Sequence, residues 1–577
     1  MFNEQQLKNI LISAGILSKE DFEKLSREAK ENNKKLDDLL AEKKIISPEN
    51  LFREIAKHLK VPFINLKDQT IQKEALYTVP ETIAVAHNLI AFEMGGGVLK
   101  IAVLDPEDLE IFDFIRKKTG LNIEVYLTTP DSVTEGLKQY RSTIKTELSS
   151  FSDQKNEEGG IGTSRQDLEK IATDLPIVRI VNDLLEYALF KDASDIHIEP
   201  EEKDVIVRYR IDGILYNLMT LDKNVQPGIV ARIKILSNLK VDEHRLPQDG
   251  RFKIDTDKNK VSCRVSIIPI FDGEKIVIRL LDEKAQALSL ENLGFQPQVL
   301  PIIKRNIMKP HGMILVTGPT GSGKTTTLYS ILSVLNTPKV NIATIEDPIE
   351  YRIPHVNQSQ ANIKIGFTFE VGLRALLRQD PNIIMVGEIR DEVTAKIAVN
   401  AAMTGHLLLS TLHTNDAITT LPRLAQMNIP SFLIASTTNL IIAQRLVRKV
   451  CPFCKEGYHL TKKSIEELEK QLNVSGILAK LVKEKSITAD NKLESITFYH
   501  GQGCKKCNNS GYKGRIGVYE AVEMTPEMAE LMVNTVDSAA LKKQAEKQGM
   551  LTLLEDGFIK AINGLTNLEE VIRVTKE

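Results

Sequence analysis

The stretch MILVTGPTGSGKTTTLYS, from Met313 to Ser330, narrows the possible folds of this 577-residue chain more than any other segment. Met313 to Thr317 read as a buried strand, and the residues from Lys324 onward read as a helix. Between them Gly318, Pro319, Thr320, Gly321, Ser322 and Gly323 lead into Lys324 and Thr325, completing the pattern G-x-x-x-x-G-K-[ST], with Thr326 directly after it. Glycines let backbone N–H groups turn inward around anionic oxygens, and a helix N-terminus adds its partial positive charge. The chemistry suits a nucleotide: Lys324 would reach the β- and γ-phosphates, and the Thr325 hydroxyl would ligate Mg²⁺.

Such a loop belongs at the carboxyl edge of a parallel α/β sheet. From about residue 290 onward strands alternate with helices, as a doubly wound sheet requires. Two further strands end in acids. NIATIEDPIEY closes on Glu346, Asp347 and Glu350, and IIMVGEIRD runs four apolar residues into Gly387, Glu388 and Arg390. Nucleotide-hydrolysing sites usually carry an Asp at the end of the second strand. Here a glycine stands there and the acid comes one residue later, a displacement that the extra methylene of Glu388 can offset. A third strand, in TGHLLLSTLHT, is bracketed by His406 and His413.

Two Cys-x-x-Cys pairs, Cys451 with Cys454 and Cys504 with Cys507, flank a charged helical segment. Each pair makes a knuckle presenting two thiolates, and two knuckles complete a closed tetrahedral Cys₄ zinc site. The fifth cysteine, Cys263, falls within an expected strand and reads as buried.

Composition sets outer limits. Hydrophobic residues make up 42% and charged residues 26%, ordinary values for a globular protein. No apolar run approaches the ~20 residues of a membrane span, and MFNEQQLKN lacks the basic flank and apolar core of a signal peptide. With 75 basic and 77 acidic residues there is no global positive field for nucleic acid. The expectation is a cytoplasmic, multi-domain protein without a disulfide framework.

The first region holds a degenerate repeat: LKNILISAGILSKEDF (7–22) aligns with LDDLLAEKKIISPENL (36–51), each an amphipathic helix followed by a serine placed to cap a second. VLKIAVLDPEDLEIFDFIRKKTG follows as a strand, a turn and a helix starting near Pro106. The polar stretch 149–167 reads as a flexible linker. After a helix come three strand pairs, each expected to turn on an Asp-Gly step: Asp212-Gly213, Asp249-Gly250 and Asp272-Gly273.

On the phosphate loop, the TIEDPIEY acids, the IIMVGEIRD strand, the histidine motif and the four cysteines, residues 170–577 closely resemble the bacterial motor ATPases of type II secretion and type IV pilus assembly. The resemblance implies a RecA-like P-loop motor preceded by a PAS-like α+β domain and a helical/mixed N-terminal domain. The implied boundaries are 1–148, a linker at 149–167, 168–288, and 289–577 with the zinc insert at about 449–512. It implies ATP as substrate, Mg²⁺ at Glu388, Glu350 as base for the attacking water, and structural Zn²⁺ on the cysteines. His413, with His406, would sense the γ-phosphate. Four arginines match the family pattern and would balance its growing charge: Arg264 and Arg279 from the hairpin domain, Arg374 and Arg378 on the helix of VGLRALLRQDPN. Closure of the hairpin domain on the motor would then couple chemistry to motion. A homohexamer peripheral to the inner membrane, working on a platform protein there, is the implied assembly. The long N-terminal region favours pilus assembly, with type II secretion as the alternative. The helical repeat resembles a cyclic di-GMP-binding domain, but Gln6-Leu7-Lys8 and Lys35-Leu36-Asp37 stand where that motif opens with Arg-Leu-Gly, which argues against nucleotide sensing.

Overall fold

The computed structural model describes residues 4–31, 36–43, 45–69, 71–140, 172–173, 175–255, 260–282, 289–472, 474–483, 493–507, 509–534 and 537–576. The expected linker at 149–167, and Lys35 of the repeat, lie outside them. The chain divides into two compact units that meet in sequence at Leu280 and Leu281.

The first unit opens with helices Glu4–Ser13, Lys19–Glu31, Leu36–Glu42 and Pro48–Leu59. Leu7, Ile10, Leu11 and Phe22 of one copy of the repeat bury against Leu39, Leu40 and Leu51 of the other. Both serines cap as expected: Ser18 Oγ accepts from the Asp21 amide at 3.1 Å and Ser47 Oγ from the Asn50 amide at 3.3 Å. A small sheet follows, β1 (Leu89–Gly95), β2 (Val98–Val103) and β3 (Asn122–Leu127), in that spatial order. The crossover helix Leu109–Thr119 begins three residues later than expected, with Asp108 in the N-cap position.

Helix Leu175–Phe190 then leads into β4 (Asp195–Pro200), β5 (Asp204–Ile211), β6 (Ile214–Asp222), β7 (Gln248–Asp255), β8 (Lys260–Ile270) and β9 (Gly273–Asp282), ordered β6-β5-β4-β9-β8-β7. Asp212 and Gly213 form the β5–β6 turn, both at positive φ (49° and 88°) as a tight hairpin demands. Asp249-Gly250 does not turn: it lies inside β7. There a Cβ on Gly250 would come within 2.7 Å of the Ser237 carbonyl oxygen, so the glycine serves close packing, which outweighed its turn chemistry. The third turn is Phe271-Asp272, with Gly273 already the first residue of β9.

Residues of β1, β2 and the Leu109–Thr119 helix share one apolar core with helix Leu175–Phe190 and the six-stranded sheet. Polar bonds reinforce it. His87 joins Asp108 through Nδ1 at 2.5 Å and the Tyr187 hydroxyl through Nε2 at 2.7 Å.

The second unit is built on β10 (Gly312–Thr317), β11 (Ile342–Glu346), β12 (Val356–Gln360), β13 (Ile383–Val386), β14 (Leu407–Leu412), β15 (Thr438–Val450) and β18 (Tyr512–Glu523); β16 (Lys455–His459) and β17 (Thr497–Gly501) pair separately in the insert. The large sheet runs β12-β11-β13-β14-β10-β15-β18 and is parallel except for β18 at its edge. Its central strands β10, β13 and β14 are buried along their whole length, as a sheet covered on both faces must be. One face packs helices including Phe369–Leu376 and Glu392–Met403, and the other packs Leu300–Ile307 and Lys324–Leu335. This is the expected doubly wound motor fold.

Candidate functional site

The phosphate loop joins β10 to helix Lys324–Leu335, and its glycines adopt backbone angles that other residues resist: φ is 144° at Gly318 and 89° at Gly323. A side chain at Gly318 would also strike the Gln444 carbonyl oxygen, 2.5 Å from an added Cβ. Gln444, on neighbouring β15, braces the loop by donating to the Ser322 carbonyl (2.6 Å) and accepting from the Thr327 hydroxyl (2.7 Å). Pro319, Thr320, Gly321 and Thr326 are exposed, Thr325 is half-buried, and Ser322 is buried. Lys324 folds back on the loop, donating to the carbonyls of Gly318 (2.8 Å) and Pro319 (3.0 Å). Burial lowers its ammonium to about 8, against the pull of Glu388 and with added repulsion from Arg445. A polyphosphate would relieve that desolvation by supplying negative charge.

Because β10, β11, β13 and β14 are parallel, their carboxyl ends share one edge. β14 lies between the phosphate-loop strand and the IIMV strand, and this topology brings His413 to Glu388, Nε2 to Oε2 at 3.2 Å. The other carboxylate oxygen of Glu388 takes Arg390 at 2.5 Å. Glu346 is buried at the end of β11, held by the Tyr329 hydroxyl, by Thr344 Oγ1 at 2.5 Å and by Gln358 Nε2 at 3.1 Å. Burial pushes its carboxyl upward. It therefore ties helix Lys324–Leu335 to the acidic loop, in which Glu350 sits half-buried four residues on.

Other expected residues lie elsewhere. His406 precedes β14 at its amino end, roughly 20 Å of strand from the carboxyl edge at about 3.3 Å per residue. Its Nδ1 contacts the Ala401 carbonyl at 3.0 Å, so it does not join His413. Arg374 is on helix Phe369–Leu376, paired with Glu370 at 3.3 Å, whereas Arg378 lies just beyond that helix and donates to the Arg374 carbonyl at 2.9 Å. Both are exposed. Arg264 on β8 and Arg279 on β9 are exposed on the face of the hairpin sheet opposite its core, where Arg279 Nε meets Asp195 at 2.9 Å.

Gln444 and Arg445 on β15 are not among the residues to which the sequence motifs point. Arg445, only 7% exposed, donates to the carbonyl of Asn415, two residues past His413, at 2.9 Å. The signal was a polar pair inside the apolar run NLIIAQRLV, where burial demands partners. Asp195 was missed as well, although DIHIE places a polar residue at every second position of a strand.

The four insert cysteines converge. Cys451 and Cys504 sulfurs lie 3.8 Å apart, Cys454 and Cys507 3.8 Å, and Cys504 and Cys507 3.7 Å. Four sulfurs at about 2.3 Å from a central ion in a tetrahedron are about 3.8 Å from one another, so the set fits such an ion. Amide N–H groups of Cys504 and Gly511 point at Cys507 Sγ (3.1 and 3.3 Å). Burial alone would raise that thiol, but these donors outweigh it and hold it at about 7. Cys263 is buried in β8 as expected, its thiol pushed up to about 12 by desolvation.

Comparison with known proteins gives this geometry its context. The family described as "Type II/IV secretion system protein" matches residues 170–573. The MshEN domain matches residues 59–147, C-terminal to the helical repeat that carries the cyclic di-GMP resemblance. A type IV pilus assembly ATPase PilB of Myxococcus xanthus is 39% identical over 574 residues, 98% of each chain. A type II secretion system protein E of Pseudomonas aeruginosa is 42% identical over 412 residues, 71% of this chain and 78% of that one. The X-ray structure of the Legionella pneumophila ATPase DotB is 20% identical with a TM-score of 0.50, over 69% of this chain and 95% of that one, a likeness of fold. On the match across residues 170–573 and the near-full-length identity, the chain belongs to the type II/IV secretion system protein family.

Proposed function

We propose that this chain is a motor that hydrolyses ATP to drive type IV pilus assembly. The observation that carries the reading is similarity to a pilus assembly ATPase along 98% of both chains, N-terminal region included, around an intact phosphate loop. The Thr325 hydroxyl and Glu388 would hold Mg²⁺, which supplies positive charge to the phosphate oxygens. Lys324 binds the β- and γ-phosphates, and Glu350 takes the proton of the attacking water. His413, bonded to Glu388, registers whether the γ-phosphate is present. Arg264, Arg279, Arg374 and Arg378 offset the charge that grows on the transferred phosphoryl oxygens. Cys451, Cys454, Cys504 and Cys507 would hold a zinc ion, which would fix the insert and take no part in the chemistry.

The same reading divides the chain into an N-terminal docking region (1–148), a PAS-like domain (168–288) and the motor (289–577). It assembles the chain as a homohexamer at the cytoplasmic face of the inner membrane, on a platform protein there. The described residues contain no helix long and apolar enough to cross a membrane, which is compatible with peripheral attachment. Because the repeat opens its copies on Gln6-Leu7-Lys8 and Lys35-Leu36-Asp37, cyclic di-GMP is not expected to bind there, and calorimetric titration at micromolar ligand should show no heat. Type II secretion is the second reading, favoured by 42% identity over the shared 412 residues. Deleting the gene and scoring surface pili against secreted enzymes separates the two: loss of pili with secretion intact supports assembly, and the reverse assigns the motor to secretion. Restoration of either phenotype by Lys324→Ala would remove ATP hydrolysis from the account.

A further inference from the structure

On the outer face of the hairpin sheet, β4 lies between β5 and β9, and Asp195 is in register with an arginine on each side, Arg210 on β5 and Arg279 on β9. Asp195 is only 4% exposed, yet the Arg279 side chain is about half exposed, at 52%. The carboxylate divides its oxygens: Oδ1 accepts from Arg279 Nε at 2.9 Å, while Oδ2 faces Arg210 Nε at 3.5 Å and accepts from the Ser194 hydroxyl at 2.8 Å.

From this arrangement we infer that Asp195 is the positioning residue of Arg279. The inference rests on the reading above, in which Arg279 gives positive charge to the transferred phosphoryl group. A guanidinium carries five N–H donors in a planar fork. Contact through Nε fixes that plane and the side-chain direction while leaving both terminal amino groups uncommitted to Asp195. A long exposed arginine would otherwise lose rotamer freedom at the moment it met its anion. The buried carboxylate removes that freedom beforehand, since Asp195 is itself held by a second arginine and a serine hydroxyl. Preorganised charge of this kind acts where charge develops and so lowers the barrier without tightening substrate binding. Asp195 does not touch the nucleotide. It acts through Arg279.

The test is a double-mutant cycle in the full-length protein, reading kcat and KM for ATP. Asp195→Asn keeps the side chain's size and removes its charge; it should lower kcat about 10- to 100-fold, the range for losing one charge-assisted hydrogen bond. KM should stay within about threefold, because ground-state binding is untouched. In an Arg279→Ala background the same substitution should cost nothing further. Asp195→Glu, which keeps the charge but displaces it by one methylene, should fall between wild type and Asp195→Asn. It supplies the same readout if circular dichroism finds Asp195→Asn unfolded. Losses that add fully to those of Arg279→Ala, or a kcat within about twofold of wild type, would overturn the inference. If Arg279→Ala is slow and Asp195→Asn is not, only this inference fails. If Arg279→Ala alone runs at the wild-type rate, the arginine reading fails and this inference with it.

Discussion

The carboxyl edge of the motor sheet and the outer face of the hairpin sheet both gather charged side chains, by opposite means. At the motor edge the groups sit on strand ends and loops, and the parallel backbone places them. β14 is in register with β10 through Thr317 and Leu412 and with β13 through Val386 and Ser410, so His413 and Glu388 meet because their strands do. On the hairpin face the groups sit inside strands, and other side chains place them. Glu199 holds Arg208 at 2.5 Å and Lys275 at 2.8 Å, as Asp195 holds Arg279 at 2.9 Å. Backbone-placed groups take their positions from the sheet itself, whereas partner-placed groups are only as fixed as their partners. Substitution of a phosphate-loop residue should therefore remove chemistry outright, and substitution on the hairpin face should propagate.

The sharpest test of that contrast has the largest effect. Lys324→Ala should bring ATPase activity below detection, and Arg279→Ala should lower kcat by about 10³-fold with modest change in ATP affinity. Glu350→Gln should lower it by about 10²- to 10³-fold while ATP still binds. Steady-state turnover with parallel nucleotide-binding measurements checks all three. Full activity in Arg279→Ala would break the comparison and leave the hairpin face as a structural lattice of cross-strand pairs, each worth roughly 0.2–1 kcal/mol.

The same contrast explains what could be read from the chain beforehand. The phosphate loop and the cysteine knuckles are short motifs whose spacing is itself the chemistry: the loop joins β10 to its helix and the four sulfurs converge, as their patterns imply. His406 misled because two histidines bracketing a strand of six residues look paired in sequence, while an extended strand carries them to opposite edges. Asp249-Gly250 misled because local turn chemistry was overridden by the close approach of Ser237, a contact no local pattern announces. Gln444 and Arg445 depend on the pairing of β15 with β10, strands more than a hundred residues apart in sequence, and long-range pairing is where local reasoning ends.

The insert gives the next effect in size. Structural zinc contributes on the order of 10–16 kcal/mol of apparent binding free energy in small domains. Elemental analysis should therefore return about one zinc per chain, and Cys454→Ser or Cys507→Ser should lower the motor's melting temperature. Metal-free protein with four freely reactive thiols would show that the sulfur geometry is held by the fold alone. At the phosphate loop, the lowered Lys324 ammonium sets a pH window. The lysine must be protonated to hold phosphate, and in the nucleotide-free chain it titrates at about 8. KM for ATP should be flat below that pH and rise by up to about tenfold per unit above it. A KM constant to pH 9.5 would mean that burial does not depress Lys324.

The smallest expected effect also separates the two regions most cleanly, because it predicts opposite signs. Glu520 on β18 is 5% exposed and accepts the Ala417 amide at 2.9 Å, bracing the loop that follows His413. Burial, and then Asp416 nearby, raise its carboxyl from 4.5 to about 7 in spite of that amide bond. Between those values the folded chain keeps a proton that the unfolded chain has released. Stability then falls as pH rises through the window, and the penalty is complete above 7. Glu520→Gln removes the charge but keeps an acceptor for Ala417. It should be more stable than wild type at pH 8 by on the order of 1–2 kcal/mol, the gap closing toward pH 4.5. Glu199, on the hairpin face, is the converse. Burial would raise its carboxyl too, but Arg208 and Lys275 outweigh burial and hold it below 4.5. Its charge stabilises the fold above 4.5, and that contribution is lost as pH falls through the lowered value. Glu199→Gln should therefore be less stable than wild type at pH 8, by less than Glu520→Gln gains because this face is more open to solvent. Thermal melts of both variants from pH 4 to 8 decide the matter. Two shifts of the same sign would mean that acids in the two regions are held in the same way.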